Sequence, residues 1–146
     1  MIVLELGPAP APPLSLNEER RLHWRARCRR TDPWRDLTIL MARQARLARA
    51  VLAAPATITV VIPVADNRRR DPANYYPVVK ACIDGLIKAD VWPDDDPRYV
   101  RVNESILTRE PTASIRIELR EAHQTSFDDP GARPPQIDDV PTGGTL

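Results

Sequence analysis

Apolar residues alternate weakly over residues 1–6, which predicts a short strand. Pro8, Pro10, Pro12 and Pro13 follow and force an extended, polyproline-like connector. Residues 18–30 show no clean apolar period and read as an irregular basic segment. They carry Arg20, Arg21, His23, Trp24, Arg25, Arg27, Arg29 and Arg30. Asp32-Pro33 looks like a helix start, an N-cap acceptor followed by proline at the first helical position. That helix is expected over residues 33–52, with Leu37, Leu40, Met41, Leu47 and Val51 as its apolar stripe. Arg43, Arg46 and Arg49 lie outside the stripe. Residues 57–62 are rich in β-branched side chains and predict a second strand, closed by Pro63.

Residues 64–73 read as a loop. Asn74 is placed to cap the next helix, because Pro77 is tolerated only in a first turn. That helix should end near Asp90, with Val79, Cys82, Ile83 and Leu86 facing the core. Residues 93–97, Pro-Asp-Asp-Asp-Pro, form a stiff acidic loop. Residues 99–107 and 114–120 alternate with period two and predict an antiparallel hairpin turning at Glu110-Pro111. In it Ile115, Ile117 and Leu119 point inward and Arg116, Glu118 and Arg120 outward. From residue 123 the chain holds little that can pack and reads as a disordered, Pro- and Asp-rich tail. The expectation is an α/β (α+β) domain over residues 1–122, a small mixed sheet of about four strands with two main helices on one face.

At 146 residues the chain has the length of one domain, and its 42% hydrophobic content is ordinary for a globular protein. No apolar run approaches the roughly 18 residues of a membrane span, and the N-terminus has no basic region like that of a signal peptide. The expectation is a cytoplasmic protein with no membrane partner. Cys28 and Cys82 lack metal-ligand spacing and read as reduced thiols.

Charge changes this picture more than composition does. The net charge of +1 conceals ten Arg against five acids in residues 1–53 (10 − 5 = +5) and one Arg against four Asp in residues 122–146 (1 − 4 = −3). Such asymmetry suits a nucleic-acid partner. Of 21 cations only Lys80 and Lys88 are lysine, so 21 − 2 = 19 are arginine. Lys80 falls between Asp71 and the run Asp94-Asp95-Asp96, and Asp84 follows it by one helical turn.

Arg68, Arg69 and Arg70 directly precede Asp71. Carboxylates that hold a hard divalent cation, beside arginines that hold an anionic backbone, form the inventory for phosphodiester hydrolysis. In this reading Asp71, Asp84 and Asp95 converge on Mg²⁺, with Asp94 adjacent, and Lys80 stabilises charge on the scissile phosphate. Plainer roles are open to each: residues 94–96 as a solvated turn, Asp84 as an ion pair with Lys80 or Lys88, Asp71 as a turn cap or a partner of the arginines. His23 reads as structural or solvent-facing. Trp24 and Trp34 read as core residues rather than base-stacking ones, and Tyr75 and Tyr76 stand next to the site. No P-loop, zinc spacing, nucleophile elbow or dinucleotide fingerprint is present, and no small-molecule cofactor is expected.

Leu14-Ser15-Leu16-Asn17 with His23-Trp24, then Arg69-Arg70-Asp71-x-x-Asn74, Lys80-Ala81-x-x-Asp84-Gly85-Leu86 and Asp94-Asp95, resemble in order the RusA family of Holliday junction resolvases. These are small endonucleases common in bacteriophages and prophages, and the resemblance covers about residues 14–107. It implies a homodimer acting with Mg²⁺ or Mn²⁺ on four-way DNA junctions by paired symmetric nicks. It implies catalytic roles for Asp71, Lys80 and Asp95, and matches Asn74 to the family's asparagine. Arg20, Arg21, Arg25, Arg27, Arg68, Arg69 and Arg70 are then expected to hold the DNA arms. The chain departs from the family at Ala73, where some members carry a second Asp, and it has extra residues, Pro77 among them, before Lys80. Asp84 is expected to supply the missing carboxylate. The competing expectations are a non-catalytic or weakly catalytic branched-DNA-binding protein, or an interaction protein whose acids are a solvated face.

Overall fold

In a computed structural model, which describes residues 1–47, 55–64, 68–109 and 115–121, one five-stranded mixed sheet carries two main helices. The strands are β1 (Ile2–Gly7), β2 (Ala56–Pro63), β3 (Val100–Val102), β4 (Ile106–Thr108) and β5 (Ile115–Glu121). The helices are α1 (Leu16–Glu19), α2 (Trp24–Gln44) and α3 (Tyr76–Lys88), the last entered through a 3-10 turn at Pro72–Tyr75. The mixed α+β class expected from the hydrophobic pattern is the one observed. No helix among the described residues is long and apolar enough to cross a membrane. The tail from residue 123, the Glu110-Pro111 turn, Arg49 and Val51 lie outside the described residues.

The hairpin is a correction. β5 does not pair with β3 or β4, the strands immediately before it; it lies between β1 and β2, antiparallel to both, with Ile2 opposite Leu119 and Ile58 opposite Leu119 on its other side. Residues 99–107 are two short strands, β3 and β4, that run parallel to β2 and share its other edge. Period-two alternation reports which face a side chain takes and leaves the strand's partner open. The face assignment therefore holds where the pairing does not. Ile115, Ile117 and Leu119 are buried, while Arg116, Glu118 and Arg120 are not.

α2 begins at Trp24, ahead of the expected start, so Asp32 is no cap and Pro33 lies inside the helix. An interior proline removes one hydrogen bond and costs about 3 kcal/mol in isolation. Tertiary contacts offset that cost. Arg30 donates from Nε to the Pro12 carbonyl at 3.1 Å and from Nη2 to the Pro13 carbonyl at 3.2 Å, and it pairs with Glu18 at 3.6 Å. Proline-rich backbone has carbonyls and few N–H donors, so an arginine is well suited to hold it. The buried face is Trp34, Thr38 and Ala42; Leu37 and Met41 pack at its margin, and Leu40, expected in the stripe, is exposed. Ser15 and Glu18 make a reciprocal capping box that starts α1, within a segment read as irregular. The backbone N–H of Ser15 draws the Glu18 carboxyl below its ordinary range.

α3 is buried along Val78, Val79, Cys82, Ile83 and Leu86, as the 3.6-residue period predicts. Asp71, not Asn74, caps its entry: the Asp71 carboxylate accepts from the Ala73 N–H at 3.0 Å. Burial pushes the Cys82 thiol up to about 12, against the opposing hydrogen bond with Thr38, and both cysteines are free. Each main helix closes with paired backbone bonds around a left-handed residue. Arg46 (φ 54°) sits between Arg46 N–H to Arg43 and Leu47 N–H to Ala42; Asp90 (φ 61°) sits between Asp90 N–H to Ile87 and Val91 N–H to Leu86.

Gly85 is where α3 meets α2. A Cβ there would stand 2.7 Å from the Arg35 carbonyl oxygen and 2.8 Å from Thr38 Cβ. Backbone cannot yield as a flexible side-chain tip can. Gly85→Ala therefore loses about 1–3 kcal/mol by overpacking despite alanine's better helix propensity, as urea unfolding will show. Arg46→Gly, which relieves a left-handed non-glycine residue, raises the unfolding midpoint by the equivalent of about 0.5–1 kcal/mol.

Candidate functional site

The buried face of α3 fixes where its flank points. Lys80 and Asp84 are one turn apart on that flank, both half-exposed, with Nζ to Oδ1 at 3.0 Å. The chain then turns at Asp90, buries Val91 and Trp92, and returns along the helix so that Asp95 also pairs with Lys80 Nζ. One ammonium thus bridges two carboxylates that are eleven positions apart in sequence (95 − 84 = 11).

The acidic loop is built rather than merely solvated. Asp94 accepts from the Asp95 N–H at 2.7 Å. Asp96 accepts from the Arg98 N–H at 2.8 Å and from its Nε at 3.0 Å, and the Asp96 carbonyl receives the Tyr99 N–H at 2.8 Å. Each of the three acids therefore has a separate task, and only Asp95 turns to the helix.

The charges respond to this arrangement. The hydrogen bond that Lys80 donates to Asp95 foremost, opposed by partial burial and helped by Asp84, lifts the Lys80 ammonium above the ordinary lysine range. The same hydrogen bond draws the Asp95 carboxyl below 3.8, with Asp94 assisting. Lys80's contribution is complete below the ordinary lysine value and is lost only as pH rises through its raised folded value. Asp95's is present above its ordinary value and is lost as pH falls through its lowered one. Lys80 and Asp95 are therefore both charged across the neutral range. At these exposures the pairs are worth about 0.2–1 kcal/mol each.

A pocket of about 280 Å³ opens beside the trio, between α1, α2 and α3. Besides Lys80 and Asp84 it is lined by Glu19, Asp32, Arg35 and Tyr76. Arg35 pairs with Asp32 at 3.2 Å. The sequence reading missed Glu19, Asp32 and Arg35 as site residues. The capping box at Ser15 and Glu18 could have located the first of them, since it orients α1; nothing local brings Arg35 toward Lys80.

Asp71 is not part of the trio. It precedes α3 and Asp95 follows it, and in a parallel strand–helix–strand crossover these two loops leave opposite ends of the sheet. The expected convergence of Asp71, Asp84 and Asp95 is thus met by Asp84 and Asp95 alone. Among the described residues no three His, Cys, Asp or Glu side chains are grouped as a metal cradle. The donors that do meet are hard carboxylate oxygens, and they already share one cation, so Asp84 and Asp95 fit magnesium in chemical type and charge.

Of the arginines, Arg20, Arg21, Arg25 and Arg69 are exposed and Arg68 is exposed with partners of its own. Arg70 donates to the Tyr75 hydroxyl at 2.8 Å, and Tyr76 is exposed. Arg27 is turned inward, its Nε donating to the Leu22 carbonyl at 2.9 Å. Asn74 is half-buried in the 3-10 turn. Trp34 is in the core as expected, but Trp24 is 60% exposed, a correction taken up below. His23 is the N-cap of α2, its Nδ1 accepting from the Arg25 N–H at 3.4 Å.

No protein-family model matches this chain, and no curated protein matches it.

In Lys80→Met the carboxylates of Asp84 and Asp95 lose their common counterion. The Asp95 carboxyl then titrates at higher pH than in the parent, measured by NMR of the side-chain carboxyl carbon. Global stability falls by no more than about 1–2 kcal/mol, the sum of two exposed pairs.

Proposed function

We propose that the protein is a metal-dependent, structure-specific DNA endonuclease that resolves four-way junctions by paired nicks. The observation that carries this reading is the chain's scarce lysine, Lys80, held between Asp84 and Asp95 at the mouth of an open pocket. An ion pair needed only for stability is equally served by arginine, which this chain uses almost everywhere else. A compact ammonium suits a single phosphate oxygen. The ordered resemblance around Asp71, Asn74, Lys80, Asp84 and Asp95 supports the same reading.

In it, Asp84 and Asp95 hold Mg²⁺ or Mn²⁺, with Asp94 the adjacent acid; Asp71 stands at the other end of the crossover and takes no part in that pair. When bound, the ion activates water for attack and neutralises charge on the phosphate. Lys80 releases one carboxylate and places its ammonium against the negative charge that builds on the phosphate oxygens. Arg20, Arg21, Arg25, Arg68, Arg69 and Arg70 neutralise backbone phosphates, so branch shape dominates over base sequence. Two nicks of like polarity need two sites related by a two-fold axis, hence a homodimer. Exposed Val102 and Ile106 on the edge strands offer apolar surface for it.

A second reading has its own support. Ala73 takes the place of a second Asp, and Lys80 already engages both carboxylates of the trio. A protein in that state binds branched DNA and cuts it poorly or not at all.

With a labelled four-way junction and Mg²⁺, the nuclease reading expects symmetric nicks, absent on the matched linear duplex. Asp84→Asn, Asp95→Asn and Lys80→Met each lower the nicking rate by about 10²-fold or more, while junction affinity in EDTA stays within a few-fold. Full activity in Asp84→Asn removes that residue from the machinery. Tight junction binding with no cleavage in Mg²⁺ or Mn²⁺ establishes the second reading.

A further inference from the structure

Three indoles are present, and they are not alike. Trp34 and Trp92 are buried to 0% and 3% exposure, whereas Trp24 is 60% exposed. Trp24 is the first residue of α2, directly after the turn that leaves α1. The Arg25 guanidinium lies over its ring, 5.6 Å from the centroid, and the His23 ring lies 6.1 Å away, tilted by 43°. Arg20 and Arg21 are exposed on the approach to it. The first turn of α2 holds no acid, so its N–H groups and dipole add to the positive side. The nearby acids of α1 are Glu18, engaged by Ser15 and Arg30, and Glu19, which lines the pocket beside Lys80.

A large apolar ring in water is unfavourable unless something covers it, and a cationic surround selects what does. Every nucleobase has a face that stacks on an indole, and its phosphate carries the charge that arginines neutralise. We infer that Trp24, flanked by His23, Arg25, Arg20 and Arg21, is a stacking platform for an unpaired nucleotide base. The inference rests on the DNA reading above and adds to it a substrate feature. The protein grips a base that has left the duplex, as at a branch point or on a single strand, and not the phosphate backbone alone. A fully paired duplex keeps its bases stacked on one another and offers Trp24 nothing but its ends.

The test uses the full chain in EDTA, so that binding is read without cleavage. A short oligothymidylate, a four-way junction and a linear duplex are titrated, following tryptophan emission and the anisotropy of labelled DNA. Oligothymidylate quenches the emission, because the exposed indole is the one a base can reach. Trp24→Ala abolishes the quenching and weakens oligothymidylate binding by about 5- to 150-fold, with a smaller loss on the duplex; Trp24→Phe retains most of the affinity. Circular dichroism of both variants matches the parent, since the side chain is exposed. Equal single-strand affinity in Trp24→Ala overturns the inference, as does an equal loss on duplex and single strand. A change in sedimentation with DNA affinity unaltered also overturns it, and makes Trp24 a protein–protein contact. A protein that stacks thymidine on Trp24 yet never nicks a junction keeps this inference and ends the nuclease reading.

Discussion

The closest approach between the two main helices sets everything around it. Gly85 leaves the carbonyl of Arg35 and the side chain of Thr38 pressed against the backbone of α3. Because that contact admits no side chain, the rotation of α3 about its own axis is fixed. Its apolar stripe meets the core, and the flank holding Lys80 and Asp84 is turned toward the Arg35 and Asp32 side of α2. The pocket is thus a by-product of a crossing angle, and its charged walls come from two helices that are remote in sequence.

Within the site the governing term is like-charge repulsion. Asp84 and Asp95 are drawn toward one another only because a cation stands between them. An ammonium on a four-carbon stem can leave and return, which a rigid guanidinium fork does less readily. Asp71 follows a different logic. Its carboxylate is consumed in starting the 3-10 turn, at the other end of the crossover from Asp95.

What the amino-acid pattern disclosed, and what it hid, divides along physical lines. α3 was legible because Val79, Cys82, Ile83 and Leu86 repeat with the helical period, and so was the inward face of β5. The partner of β5 was not, since alternation carries no information about which neighbour a strand chooses. The true start of α2 was masked by Pro33, whose usual place is a first turn; distant carbonyls at Pro12 and Pro13 decide otherwise. Both helix ends lacked the glycine that normally marks them, because Arg46 and Asp90 take the left-handed conformation instead. At the site, the four-residue spacing of Lys80 and Asp84 left their contact open as one of two plain pairings for Asp84, with Lys80 or with Lys88, and the first is the one formed. Asp95's return to the same ammonium, and Trp24's exposure, depend on how whole elements pack and have no local signature.

The strand order has a bearing on how the molecule is made. β1 precedes every other described element in the chain, and its hydrogen-bonding neighbour is β5, with Ile2 opposite Leu119. β5 also separates β1 from β2, so no earlier segment can substitute for it. A growing chain therefore carries β1 without this neighbour until β5 has been synthesised. Closure of the sheet is a late, long-range event, of the kind that slows folding and leaves an edge exposed to other chains in the meantime.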